Sequence, residues 1–217
     1  AATFENKHGV RIQTDYQGGG QLVGRIAAQQ YGDLFMAGAE TYADIAIERG
    51  LADAATKRIA AYFRPVILVR KGNPKSITSL ADFTRSGLRL GFGDERCCAV
   101  GKKILKILAK NDIPLSRVDP QVVYKSKTVN ELGVAIQMNT VDAVVMWDTN
   151  ARRFRKHGDI VEIPYEKNIV SAVPLVVLES SEYPETARAF IEFACSPAGK
   201  EIWRKHGYTT SLDAIRK

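Results

Sequence analysis

Residues 10–16, Val10-Arg11-Ile12-Gln13-Thr14-Asp15-Tyr16, alternate apolar and polar side chains with the period of a half-buried strand. The run leads into Gln17-Gly18-Gly19-Gly20 and a helix predicted from about residue 21 to residue 30. A short buried strand at 33–37 and a helix at 41–49, closed by Gly50, come next. Ahead of all of them, residues 1–7 read as the last turns of an amphipathic helix stopped at His8-Gly9, so the chain is expected to begin inside an element.

The same order recurs further on. A strand at 65–70 is broken by Lys71-Gly72-Asn73-Pro74, and Ser79 stands three residues before Asp82 in the manner of a capping box. A strand at 88–93 feeds a helix at 100–111 whose Ile104, Leu105, Ile107 and Leu108 form an apolar stripe. Strands at 122–124, 141–147 and 173–178 alternate with helices at 128–138 and 183–194, and Ser196-Pro197 caps and opens a final helix. Strand, turn and helix in repetition predict an α/β fold with mostly parallel sheets.

Composition narrows the class. With 217 residues, 45% hydrophobic and 25% charged, the chain can bury a core as one large domain or two lobes, and disordered, collagenous and disulfide-scaffold classes are excluded. The longest apolar runs are strand-sized, so no membrane span is expected and the chain reads as soluble. Residues 1–7 lack the pattern of a signal peptide. Lys and Arg number 31 against 24 Asp and Glu, a net charge of +7 that raises the question of an anionic partner. These cations are strewn along helical faces without an aromatic ladder, so solvated surface is expected and a nucleic-acid partner is not. The three cysteines, Cys97, Cys98 and Cys195, have neither disulfide-framework nor metal-site spacing.

Three loops follow predicted strands and open helices: Gly18 to Gly20, Gly93 to Val100, and Lys125 to Val129. That edge of an α/β sheet is where ligands bind, and helix starts there offer free amides and the positive end of a dipole to a small anion. Glycines without Cβ atoms allow close backbone approach to a ligand, although a tight turn explains them as well, and the run matches neither G-x-G-x-x-G nor a P-loop. Catalytic arrangements are lacking: His8, His157 and His206 each precede a Gly at a predicted helix end, and no G-x-S-x-G or H-E-x-x-H occurs. Cys97 and Cys98 at a helix start have either lowered thiol pKa values or a packing role, with packing preferred. Trp147 either fills core or walls a cleft. No catalytic residue, cofactor or metal ligand is assigned.

The segments 33–39, 66–75, 79–83, Gly91-Phe92-Gly93-Asp94, Val141-Asp142-Ala143-Val144 and 196–208 together resemble the periplasmic molybdate/tungstate-binding proteins of ABC transporters, over nearly the whole chain and in order. The resemblance implies a two-lobed periplasmic-binding fold of type II, residues 1–71 plus 172–217 forming lobe 1 and 72–171 lobe 2, closing over one tetrahedral oxyanion. It implies binding mainly by backbone N–H groups and hydroxyls, and matched motifs give Gly18, Gly19 and Gly20, then Ala99, Val100 and Gly101, then Thr128 and Val129, with Trp147 as the capping aromatic. The family's first strand and its Ser-bearing turn fall upstream of Ala1, so the first strand of lobe 1 is expected to be absent here. Gly replaces the family's first-loop Ser and Trp its frequent Tyr, which removes two hydroxyl donors. A tungstate-selective subgroup adds carboxylates, for which Asp94 and Glu131 are the candidates, with a solvated helix face the preferred reading of Glu131. The implied protein is a monomeric, extracytoplasmic, non-enzymatic receptor for molybdate or tungstate that serves a membrane permease. A same-fold receptor for sulfate, phosphate, ferric ion or a small carboxylate, or a ligand-sensing regulatory domain, are the alternatives.

Overall fold

The computed structural model describes residues 1–216. In chain order the elements are α1 (Ala2–His8), α2 (Gly19–Gln29), β1 (Leu34–Met36), α3 (Glu40–Glu48), β2 (Arg58–Phe63), β3 (Pro65–Arg70), β4 (Leu90–Gly93) and α4 (Ala99–Lys110). There follow α5 (Leu115–Val118), β5 (Val122–Ser126), α6 (Val129–Gln137), β6 (Ala143–Trp147), α7 (Asp148–Ala151), β7 (Gly158–Val161), β8 (Ser171–Val177), α8 (Pro184–Cys195), α9 (Pro197–Lys205) and α10 (Asp213–Arg216). They form two compact units, the first of residues 1–62 and 172–211, the second of 63–171 and the chain end from Leu212.

Unit 1 is built on a three-stranded sheet in the order β1-β8-β2. Every residue of β8 is buried, because both faces of this strand are covered. Alternation along it sorts two cores: Val176 joins Phe35, Val23, Ile26, Ala43 and Ala46 beneath α2 and α3, while Leu175 and Val177 join Ala60, Ala187, Ile191 and Ala194 beneath α8. Ser196 caps α9 as its sequence predicts, its Oγ accepting from the Gly199 amide at 3.1 Å.

Unit 2 holds a five-stranded sheet in the order β5-β4-β6-β3-β7. Parallel neighbours require long crossovers, and the α4 and α6 connections supply them, so β4 pairs parallel with both β5 and β6. β3 instead lies antiparallel to both β6 and β7. The sheet is therefore mixed, not mostly parallel, and in unit 1 β1 likewise runs antiparallel to β8. These pairings also move the expected boundary: Pro65 to Arg70, assigned by sequence to the first lobe, form an inner strand of unit 2, and the division falls between Tyr62 and Phe63. At the sheet's other end, buried Asp142 accepts from the Arg89 amide at 2.9 Å and from the Arg89 and Arg70 guanidinium groups. Although burial pushes its carboxyl up, those bonds hold it below the usual range.

The alternating segment 10–16 forms no strand and is mostly exposed. Its apolar Val10 and Ile12 are only half-buried, and the Ile12 amide donates to Glu5 Oε1 at 2.7 Å, a side-chain bond in place of a ladder. The capping box at Ser79 does form, Asp82 Oδ2 accepting from the Ser79 amide at 3.0 Å, but it opens a short 3-10 helix, Leu80–Thr84.

Candidate functional site

In unit 2 the parallel strands β4, β5 and β6 end at Gly93, Ser126 and Trp147 along one edge of the sheet. The β4-to-β5 and β5-to-β6 crossovers travel in opposite directions across it. Right-handed crossovers then send α4 and α6 to opposite faces and leave a crevice where β4 and β5 end. All of the predicted residues of this unit, Ala99, Val100, Gly101, Thr128, Val129 and Trp147, belong to that edge.

A tight turn delivers the chain from β4 to α4. The Asp94 amide donates to the Ser126 carbonyl at 2.7 Å, and the Asp94 carbonyl accepts from Cys98 N at 2.7 Å and from Cys97 N at 3.2 Å. Cys98 is the N-cap, with extended backbone at φ −105° and ψ 118°. Gly101 N bonds back to the Cys98 carbonyl at 2.9 Å, whereas the Ala99 amide has no protein acceptor among the described residues and the Val100 amide reaches only the weakly accepting Cys98 sulfur. Val100 is 1% exposed, so its amide is a nearly dry donor. Gly101 is required here for packing: a Cβ would stand 2.6 Å from the Gly93 carbonyl carbon and 2.9 Å from that of Asp94. Its amide serves the turn, which sets it apart from its two predecessors.

The start of α6 is organised by a reciprocal cap. Thr128 Oγ1 accepts from the Glu131 amide at 3.4 Å and Glu131 Oε2 accepts from the Lys127 amide at 3.0 Å. Thr128 and Val129 then present amides that lack a protein acceptor among the described residues. Burial pushes the Cys98 thiol up, opposed by the Gly101 and Val100 amides and aided by the Glu131 carboxylate. Because β4 and β5 are neighbours in the sheet, the helices that follow them start from adjacent strand ends. Cys98 is thus buried packing, as preferred from sequence, whereas Cys97, expected to be buried with it, is exposed. Both cysteines are free thiols.

Neither carboxylate considered for a metal is idle. Asp94 accepts from Arg96 Nε at 3.0 Å and from the Arg96 amide at 2.9 Å, and the Arg96 side chain holds its carboxyl well below the usual range. Glu131 is the cap just described. Trp147 is 8% exposed and meets Phe63 edge-on at 4.5 Å, with interplanar angle 73°. The next residue, Asp148, is buried and accepts from the amides of Arg64 at 3.2 Å and Thr149 at 2.9 Å, and burial raises its pKa. These contacts fix the end of β6 and with it the indole.

Gly18, Gly19 and Gly20 belong to unit 1. Gly18 is the N-cap of α2, its amide donating to Gln21 Oε1 at 3.2 Å, and Gly19 and Gly20 form the first helical turn. The helix begins two residues earlier than expected. Gly19 is packed by the Tyr42 ring, whose Cγ would lie 2.7 Å from a Cβ placed there. One residue of the candidate loop Lys125 to Val129 was not singled out from sequence: Ser126, at the end of β5, is 1% exposed and its Oγ has no hydrogen-bond partner. A serine at a strand end gives no signal of burial in a single sequence; only the Gly93 pairing reveals it.

What this edge offers is a set of neutral donors, amides at two helix starts, without a nucleophile and base held together. Among the described residues no three His, Cys, Asp or Glu side chains come together as a metal site, and no helix is long and apolar enough to cross a membrane. The profile of the bacterial extracellular solute-binding protein family matches residues 1–209. The chain belongs to that family.

Curated relatives of this solute-binding protein include a binding protein of Haemophilus influenzae, 28% identical over 205 residues, which are 94% of this chain and 82% of the relative. The molybdate-binding protein ModA of Mycobacterium tuberculosis is 22% identical over 210 residues, 92% of this chain and 74% of the relative. Among solved structures, the periplasmic molybdate-binding protein of Azotobacter vinelandii superposes with a TM-score of 0.81 at 13% identity, covering 98% of this chain and 93% of that one. The sulfate-binding protein SubI of M. tuberculosis gives 0.82 at 20%, covering 99% and 82%. Iron-bound HitA of Pseudomonas aeruginosa gives 0.80 at 16%, covering 98% and 81%. At these identities the structures establish a shared solute-binding fold, and their differing ligands belong to them.

Proposed function

We propose that this solute-binding protein captures a tetrahedral oxyanion, molybdate or tungstate first, at the crevice edge of unit 2 and serves the membrane permease of an ABC importer as a non-enzymatic, monomeric receptor outside the cytoplasm. The observation that carries the reading is the set of amides at the two helix starts: Ala99, which has no protein acceptor among the described residues, Val100, buried and facing only the Cys98 sulfur, and those of Thr128 and Val129. A dianion accepts several short, charge-assisted hydrogen bonds from such donors and needs no cation beside it. The nearby cation Arg96 is committed to Asp94, which agrees with neutral-donor recognition. The ModA relatives add support for molybdate. Trp147 is the apolar wall of the proposed site.

Titration calorimetry of the dialysed chain with molybdate, tungstate, sulfate, phosphate and ferric citrate tests this. One-to-one binding of the first two, with weaker or no heat from the rest, is the expected outcome. Saturable binding of ferric ion alone, or silence with every anion, overturns it.

A further inference from the structure

The strand end between the two helix starts carries a group that the amide reading leaves unused. Ser126 Oγ is shut away from solvent and unpaired, although its own carbonyl is satisfied by the Asp94 amide. Buried hydroxyls nearly always have a partner, so an orphan calls for an explanation. Its direction follows from register. Ser126 is the lateral neighbour of Gly93, and laterally paired residues point to the same face of a sheet. On that face a Cβ at Gly93 would lie 2.7 Å from Cys98 Sγ and 3.0 Å from Gly101 N. The Ser126 side chain is thus aimed at the first turn of α4, where the Ala99 amide also lacks an acceptor among the described residues.

We propose that Ser126 is a ligand-binding residue of this edge, its hydroxyl donating to an oxygen of a tetrahedral oxyanion held by the α4 amides. The inference rests on the anion-receptor reading and adds to it a side-chain donor. An amide can only donate in a fixed direction, whereas a hydroxyl rotates about Cβ–Oγ and can seek an oxygen that the helix amides leave uncovered. In the unligated protein the same group has nothing to bond, so its removal affects binding and folding in opposite senses.

The test titrates the full chain, as wild type, Ser126→Ala and Ser126→Cys, with sodium molybdate and sodium sulfate, and records the thermal midpoint of each unligated protein. In Ser126→Ala the midpoint stays level or rises, and Kd for whichever anion the wild type binds weakens about tenfold or more, the loss of one hydrogen bond to a charged group. Ser126→Cys keeps the volume but replaces the hydroxyl with a weak donor, and weakens binding comparably. Unchanged affinity in Ser126→Ala overturns the inference alone, as does wild-type affinity in Ser126→Cys, which would assign the alanine effect to packing. A wild type that binds neither anion overturns the receptor reading and this inference with it.

Discussion

α2 and α4 both begin with amides that no carbonyl of their own helix can reach. At α2 the surrounding residues Gly18 and Gly20 are exposed, whereas at α4 Cys98 and Val100 are 6% and 1% exposed. Water satisfies donors at the first start and competes there for any anion. At the second Val100 is nearly dry and Ala99 is half-buried, so an acceptor that arrives gains more from each bond. Glycine has a related meaning in both places, admitting the Tyr42 ring at Gly19 and the end of β4 at Gly101. The contrast teaches that a glycine-rich turn marks close packing, and that burial of unpaired amides is the better sign of a site.

The sharpest way to break this comparison is Gly101→Ala, because the obstructing atoms are backbone of Gly93 and Asp94 and cannot swing away. We expect it to cost about 3 kcal/mol by overpacking, read as a large fall in the thermal midpoint. Gly20→Ala, where the nearest atom would be Tyr42 Cε1 at 3.6 Å, should stay within about 1 kcal/mol of wild type. A greater loss at Gly20 than at Gly101 would invert the argument. Next in size is Ala99→Pro. Ala99 is the first helical residue and Cys98 before it is already extended, so proline removes one amide while the helix tolerates it. Molybdate affinity should fall roughly tenfold to a hundredfold at an unchanged thermal midpoint; equal affinity would remove the Ala99 amide from the site.

A third test reads burial at α4 directly. Exposed Cys97 should react with iodoacetamide roughly tenfold faster than buried Cys98, whose thiol burial pushes up, as peptide mapping would report. Equal rates would mean the α4 start is as open as that of α2. The smallest effect is expected at Gly24, in the interior of α2, where a Cβ would have no atom within 4 Å. Gly24→Ala should raise stability by about 0.5–1 kcal/mol, since the helix there faces only water; a loss in the melting curve would show that this face is covered.

Much of the architecture is written in local patterns. β3, β6 and β8 are continuous apolar runs because both faces of each are covered, and α4 and α9 start where their signals stand. β2 escaped notice because Ala60 and Ala61 are adjacent, buried and small, which breaks alternation. β7 was hidden by its brevity and by Asp159, a charge that the Lys71 ammonium and the Gly72 amide accommodate at the sheet edge. Conversely, 10–16 alternates and yet forms no strand, since alternation describes one surface of a strand and not the neighbour it needs. Of the site, the helix starts were legible as loop positions after strands. Which amides remain free was not, because that depends on the Asp94 turn and on the Gly101 bond to Cys98, and Ser126 depends on a neighbour in another strand.

The antiparallel placement of β3 also bears on synthesis. Its five buried residues, Pro65 to Val69, leave the ribosome well before either of their partners, and β7 is complete only about ninety residues later. At roughly 5–20 residues per second that interval is about 5–20 s, and until β6 emerges, for most of it, an apolar strand with two open edges has no native neighbour. Such a segment is the part of the nascent chain most in need of a chaperone, and the rate at which β6 and β7 follow sets how long it is exposed to aggregation.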